Sequence, residues 1–451
     1  MRETAKRDER ELVAAVVDVA RKGGAEMAEA YFARGEELVV EVRQGEVETL
    51  KIAREEGIGV RVIRAGRLGF AFTSNLNWPA VKKTINDALA NVRTASEDPY
   101  HSLPDPPAAY PDLNLEDPTL RDIPLAEKIE KAREIERAGH AFDSRIKLTE
   151  RATYEEAHYQ VTIANSRGLL ASYRGSFCGG YAVLVAAANG EQETGFGLQF
   201  TRKFKELDPG KIGREAASKA ISLLGARRLE TKRVPVVFDP YVVTNFLGII
   251  ASALTAEAVQ KGRSLFAGKV GKTVAAKGVT VVDDATLPGG LLSAPFDGEG
   301  VPAQHTVLIK EGQLQGFLHN TYTAAKDGVA STGNAARGSY KSPPELGSTN
   351  FYLTPGESAP EEIIKGTSQG LYLAEVMGMH TANPISGDFS VGAAGIWIEH
   401  GELTKPVRGM VIAGNILELL ETVDAVGNDL RFFIGKGAPT IRVTGLTVSG
   451  K

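Results

Sequence analysis

The residues best suited to hold a metal or move a proton near neutral pH are the seven histidines, His101, His140, His158, His305, His319, His380 and His400. None stands four or five positions from another, so no helix presents two imidazoles to one ion, and turn or surface positions are their ordinary use. Asp297 and Glu299 lie in Phe296-Asp-Gly-Glu-Gly300, a glycine-flanked turn. Such a pair can bind a cation, take up a proton, or simply solvate a loop, and the last is the commonest outcome. With His305 nearby in sequence, it is also the set an independent hydrolase would use. The segment Ala330-Ser-Thr-Gly-Asn-Ala335, which contains Asn334, offers hydroxyls and backbone donors to an anion or a peptide carbonyl but lacks the ending of a phosphate-binding loop. The densest run of glycine and small residues is 377–395, with Asp388 inside it, a composition suited to close backbone approach by a ligand, a partner or a packed strand. No GxSxG elbow is present. The single cysteine, Cys178, sits in a strand-like run and reads as a buried, inert thiol.

These residues must be positioned by 451 residues that exceed one ordinary core, so two or three domains are expected. Hydrophobic residues at 43% and charged residues at 24% are globular values. A formal net charge of -4, without a lysine-rich run, argues against direct nucleic-acid binding. No apolar leader precedes the first helical pattern and no run is long enough for a bilayer, which implies a soluble, cytoplasmic protein without a membrane partner.

Periodicity divides the chain. Leu12, Val13, Val16, Val17 and Ala20 predict a helix ending at Gly23-Gly24. Alternation over 38–42, 47–52, 58–63 and 68–72, with glycine turns between, predicts a four-stranded meander, followed by a helix capped by Asn77. Six prolines between Asp98 and Pro118 make 98–118 a linker or extended strap. Beyond it a helix with Leu125, Ile129, Ala132, Ile135, Ala138 and Phe142 on one face, strands over 146–204, and a helix opened by Asp208-Pro209 repeat the order. The expectation is an α+β fold: a duplicated helix–meander–helix region over 1–230 (copies 1–97 and 120–230) and a mainly antiparallel β domain over 231–451. That second domain wraps a buried helix, Tyr241 to Gly262, capped by Asp239-Pro240 and apolar almost all round from Val242 to Leu254.

Several separated segments then agree in order with one family. FDGEGVPAQHTVLIKEGQLQGFLHNTYTAAKDG from Phe296, STGNAAR from Ser331, SGDFSVGAAGIWIEHGE ending at 402, IAGN from Ile412 and VGNDLRF from Val426 resemble the TldD/PmbA family. The resemblance implies a cytoplasmic peptidase complex in which a TldD-type subunit carries HExxxH on the helix corresponding to 241–262 and a further cysteine ligand near its end. Anchored on GRSLFAGKVG at Gly262, that motif falls on Leu247-Gly-Ile-Ile-Ala-Ser252, with Leu247 and Ser252 at the histidine positions and Gly248 at the glutamate. None of the three can replace an imidazole or a general base at zinc, and no cysteine follows Val426.

The chain therefore resembles the PmbA (TldE) branch. This implies no catalytic residue and no metal in this chain, with zinc expected only in a TldD-like partner, and a hetero-oligomer acting on extended or unfolded peptides. Precursor-peptide maturation, antitoxin degradation and modulation of DNA gyrase are the family's implied roles. Asp297, Glu299, Asn334 and Asp388 are its candidate peptide- or partner-binding residues. A homodimer or homo-oligomeric peptide-binding chaperone without a protease partner is the alternative.

Overall fold

The computed structural model describes residues 8–450; the first seven residues of the stretch read for a leader lie outside it. Helix α1 (Glu9–Lys22) buries the five predicted apolar residues and ends at Gly23. Strands β1 (Met27–Arg43), β2 (Glu46–Arg64) and β3 (Arg67–Thr73) then form a meander of three strands, not four. The difference lies at Gly57. It sits within β2 rather than at a turn, because the Tyr340 side chain occupies the space where its Cβ would stand. The true turns are Gln44-Gly45 and Ala65-Gly66, all four residues at positive φ. Helix α2 (Trp78–Asn91) starts as predicted, with Ala80 N–H donating to Asn77 Oδ1 at 2.9 Å.

Residues 98–118 run as an extended strap. Its Leu103 and Leu115 are buried, and the Ser176 N–H donates to the Leu115 carbonyl at 2.9 Å. Helix α3 (Leu125–Phe142), strands β4 (Ile146–Asn165), β5 (Leu170–Ala188) and β6 (Glu191–Thr201), and helix α4 (Pro209–Ser222) follow, with turns after Asn165 and Ala188. The buried face of α3 is rotated from the predicted one: Lys128, Ala132, Ile135, Glu136 and Gly139 point inward, while Leu125 and Phe142 are exposed. Two polar contacts cause the rotation. Glu136 receives the Gln44 and Gly45 N–H groups at 2.8 Å each, and Lys128 pairs with buried Glu156 at 2.7 Å. The crossing of α3 over α4 is made at Gly139 and Gly213, where a Cβ on Gly213 would enter the Ile135 carbonyl. Gly213→Ala should therefore cost about 1–3 kcal/mol through forced separation of the helices; an unchanged thermal midpoint would show that the crossing yields freely.

Antiparallel pairing of β1 with β4, Glu29 opposite Asn165 through Glu41 opposite Thr153, joins both meanders into one six-stranded sheet of order β3-β2-β1-β4-β5-β6. Its alternation sorts the side chains. Even-numbered Ala28, Ala30, Phe32, Leu38, Val40 and Val42 of β1 pack under the helices. Odd-numbered Tyr31 and Ala33 face the other way, toward Phe296 and Tyr340.

Strand β7 (Lys232–Phe238) leads into α5 (Pro240–Ala253) and α6 (Ala256–Gln260). The predicted single helix thus breaks at Leu254-Thr255. There the Leu318 N–H donates to Leu254 O and the Ala256 N–H to Leu318 O, each at 2.9 Å, and the Thr255 hydroxyl caps α6. Beyond lie β8 (Val281–Asp284), β9 (His305–Lys310), β10 (Gln313–Leu314), α7 (Thr321–Asp327), β11 (Ala335–Ala336), β12 (Glu345–Leu346), β13 (Phe351–Leu353), α8 (Pro360–Lys365) and β14 (Gln369–Met377). The chain closes with β15 (Asp388–Glu399), β16 (Glu402–Asn415), α9 (Ile416–Glu421), β17 (Val423–Val426), β18 (Arg431–Phe433), β19 (Lys436–Ala438) and β20 (Ile441–Ser449). Two six-stranded sheets result, β10-β9-β8-β13-β19-β18 and β16-β15-β14-β7-β20-β17, antiparallel except for β13–β19 and β14–β7. One core encloses α5 between them, with Phe246, Leu247 and Ile250 against Val281, Leu353 and Ile441. Among the described residues no helix is long and apolar enough to cross a membrane.

Candidate functional site

Two concave regions meet at a common wall, Gly347-Ser348. The first is a cavity of about 330 Å³ between the odd face of the amino-terminal sheet and the loops of the following domain. Tyr31, Tyr159, Tyr173 and Phe177 come from the strands, and Phe296, Asp297, Asn334 and Arg337 from the loops.

Asp297 and Glu299, expected to solvate a turn, are instead drawn into this seam. Glu299 is 1% exposed. Its carboxylate receives Arg61 Nη1 at 2.9 Å and the Thr321 N–H at 2.9 Å. Arg61 reaches Glu29 with Nη2 at 2.5 Å, Glu29 also pairs with Arg337, and Arg337 Nε donates to the Gly298 carbonyl at 2.7 Å. A buried chain of alternating charge therefore ties strands β1 and β2 to the Asp297 turn. Asp297 has no ion-pair partner among the described residues. It accepts N–H bonds from Glu299 (2.9 Å), Val301 (3.0 Å) and Ala335 (2.9 Å). Desolvation, then the nearby Glu299 charge, pushes its carboxyl up to about 7.

A carboxyl raised on folding binds more protons folded than unfolded. Its contribution is fully present below pH 4, the unfolded value, and is lost as pH rises toward 7. The unfolding free energy of the wild type relative to Asp297→Asn should fall across that window; a flat difference between pH 4 and 7 would contradict the assignment.

Asn334 is a strut. Its Nδ2 donates to buried Asp283 at 2.6 Å and to the Gly347 carbonyl at 3.1 Å, while Thr332 Oγ1 donates to its Oδ1 at 2.6 Å. Asp283, which burial raises to about 6, also accepts from Thr349 N and Oγ1. Together they fix the wall between the two regions. Asp388 lies elsewhere: it is exposed at the start of β15, accepts from Asn415 Nδ2 at 2.9 Å, and lines neither region. Cys178 is fully buried among apolar neighbours, and burial pushes its thiol up to about 12. The histidines are less uniform than expected. His158 and His319 are buried, each with Nδ1 lacking a hydrogen-bond partner among the described residues, whereas His400 occupies a hairpin turn at φ 54°.

The second region is a cleft of about 630 Å³ along α5 and α6, lined by Gly248, Ser252, Glu257, Lys261, Arg263 and Lys436 among others. Here the HExxxH positions can be tested against geometry. Leu247 is 2% exposed and turned into the core. Gly248 and Ser252 face the cleft, with Ser252 Oγ donating to the Gly248 carbonyl at 3.1 Å and the Lys436 side chain over Gly248. These residues do not fit zinc, and among the described residues no group of three or more His, Cys, Asp or Glu is placed to hold an ion.

Sequence reading missed Glu29, Tyr31, Arg61 and Arg337. Charged residues alternating with apolar ones along β1 and β2 look like a solvated face, and only the packing of a second domain onto that face shows otherwise.

A helix-covered sheet docked by its other face on a two-sheet domain, with an ion-pair seam and a cleft along a buried helix, defines an α+β protein whose cleft helix carries no metal ligands. Comparison gives the family: residues 28–92, 118–224 and 231–450 match the PmbA/TldA metallopeptidase domain 1, central domain and C-terminal domain. Metalloprotease PmbA of Escherichia coli O157:H7 is 31% identical over 93% of this chain and 91% of its own length. The Metalloprotease PmbA homolog of Haemophilus influenzae is 28% identical over 98% and 96%. A solved Thermotoga maritima protein, described as a candidate modulator of a DNA gyrase, aligns with TM-score 0.90 at 29% identity, covering 98% of this chain and all of that one. TldE from Thermococcus kodakarensis shares the fold, with TM-score 0.91 at 24% identity over 97% of this chain and 100% of its own. The chain belongs to the PmbA/TldD family, on its PmbA side.

Proposed function

We propose that this chain is the noncatalytic, PmbA/TldE-like subunit of a zinc metallopeptidase complex whose TldD-like partner holds the metal and cleaves extended peptides. The observation that carries the reading is the side-chain set of α5: Leu247 belongs to the core, and the cleft-facing Gly248 and Ser252 supply neither an imidazole nor a general base. The names of the curated relatives support the proteolytic setting. In this role the chain contributes a wall to a peptide chamber. The two-stranded ribbon β11–β12 beside the cleft offers backbone edges to which an extended peptide adds as a strand.

Co-expression with an HExxxH-bearing relative tests the proposal. A stable hetero-oligomer with zinc confined to the relative, and peptide hydrolysis only by the pair, is the expected result. Stoichiometric zinc with hydrolysis by the isolated chain would overturn it, and a homo-oligomer that ignores the relative would favour a self-contained peptide binder.

A further inference from the structure

We propose that the cavity between the odd face of the amino-terminal sheet and the Asp297 turn binds one organic cation, the ammonium or guanidinium group of a peptide's lysine, arginine or amino terminus. Its walls are aromatic and set at right angles. Tyr173 stands edge-on to Phe296, with centroids 4.9 Å apart and planes at 83°, and edge-on to Tyr159, at 6.2 Å and 82°. Aromatic walls of this kind can offer ring faces and phenol oxygens to a cation held among them. Tyr31 already shows this affinity, since the Arg337 guanidinium lies over its ring at 4.5 Å.

The pattern of pairing, rather than the net charge, favours a cation. The seam holds three carboxylates, Glu29, Asp297 and Glu299, against two guanidiniums, Arg61 and Arg337. Both guanidiniums are paired with Glu29 or Glu299, which leaves the Asp297 carboxylate uncompensated at the cavity wall when ionised. Arg202 adds a third buried guanidinium nearby, without a carboxylate partner among the described residues, but it does not line the cavity, whose wall carboxylate is Asp297. It sits behind Tyr159, with its guanidinium nitrogens donating to the Tyr159 hydroxyl and to the carbonyls of Leu115, Ser176, Gly290, Leu291 and Ser293. An anion would find its sole cationic wall residue, Arg337, already engaged by Glu29.

Tyr31 lines the cavity, and its hydroxyl makes no hydrogen bond to another described residue and stands open to the cavity. A donor entering the cavity would satisfy that oxygen together with Asp297. The volume, about 330 Å³, is at the lower end of small-molecule pockets, roughly 300–1,000 Å³, and suits one side chain rather than a folded segment. Because Gly347 and Ser348 wall both the cavity and the α5 cleft, a peptide lying beside that wall has its side chains within reach of either.

The experiment titrates the full chain, without any partner, with four tripeptide amides in a calorimeter: acetyl-Ala-Lys-Ala-amide, acetyl-Ala-Arg-Ala-amide, Ala-Ala-Ala-amide with its free amino terminus, and neutral acetyl-Ala-Met-Ala-amide. At least one cationic probe should bind tenfold or more tightly than the methionine peptide, and the pattern among the three identifies the source of the charge. Asp297→Asn should weaken it at least tenfold, Tyr173→Leu several-fold, and Asp388→Asn not at all. Binding at pH 7 should also release protons, seen as a heat that depends on the buffer, because the cation favours ionised Asp297; a merely structural Asp297 would not do this. Should Asp297→Asn fail to fold, Tyr31→Phe and Tyr173→Leu carry the comparison. Equal affinity for the methionine peptide, absence of binding by every probe, or binding indifferent to these substitutions would overturn the proposal. Since the isolated chain is used, such failure leaves the subunit pairing of the preceding subsection standing.

Discussion

Replacing Arg61 by alanine should lower the stability of the protein by about 3–5 kcal/mol, the range for removing one partner from a buried ion pair. Arg61 lies between Glu29 and Glu299, all three nearly inaccessible to solvent. Without it two carboxylates remain in a low-dielectric seam with only Arg337 as counter-charge. The loss should also be local before it is global. Glu29 and Arg61 belong to the sheet, and Glu299 and Arg337 to the loops that dock on it, so the seam opens first. A downward shift of the first urea transition, with faster proteolysis in the 98–118 strap that borders the same face, is the expected signature. A shift of less than about 1 kcal/mol, the worth of an exposed pair, would mean that water reaches the seam.

The second large effect concerns α5, the helix on which the family resemblance places the HExxxH positions. Restoring the motif as Leu247→His, Gly248→Glu and Ser252→His should not restore a metal site, and Leu247→His alone should cost about 3 kcal/mol or more. Positions five apart on a regular helix are separated by about 140° around its axis, so both reach one metal only where the helix departs from regular geometry, and α5 runs as an unbroken α-helix through both. Leu247 accordingly points into the core with Phe246 and Ile250, while Ser252 faces the cleft. An imidazole at 247 is buried without a partner, and a glutamate at 248 meets the Lys436 ammonium before any metal. Metal analysis of the purified triple variant, with thermal unfolding of each single one, checks both parts. Stoichiometric zinc would show that α5 can unwind enough to bring the two positions together.

Much of this architecture was legible from local chemistry. Asn77, Asp208 and Asp239 announced their helices, and Gly45 and Gly66 the first two hairpins, because caps and positive-φ turns depend on neighbouring residues alone. What failed depended on contacts distant in sequence. Gly57 suggested a turn until Tyr340, some 280 positions on, explained its missing side chain. The face of α3 was misjudged because Lys128 and Glu136 are buried with partners that hydrophobicity does not reveal. The candidate site divided likewise. Asp297, Glu299 and Asn334 stood out by their glycine-rich setting and are brought together, but the residues of β1 and β2 that complete the seam did not. Asp388 shared the setting of the first three and ended elsewhere.

The two faces of β1 carry a consequence for descent. Its even positions answer to helices formed within the first part of the chain, and its odd positions to loops about 270 or more residues further on. Adjacent residues in one strand therefore belong to separate lineages of mutual adjustment. Among relatives, a change at Tyr31 or Glu29 should be accompanied by changes at Phe296 or Arg337, while Ala30 and Phe32 drift with α1 and α2, as if two messages had been interleaved letter by letter.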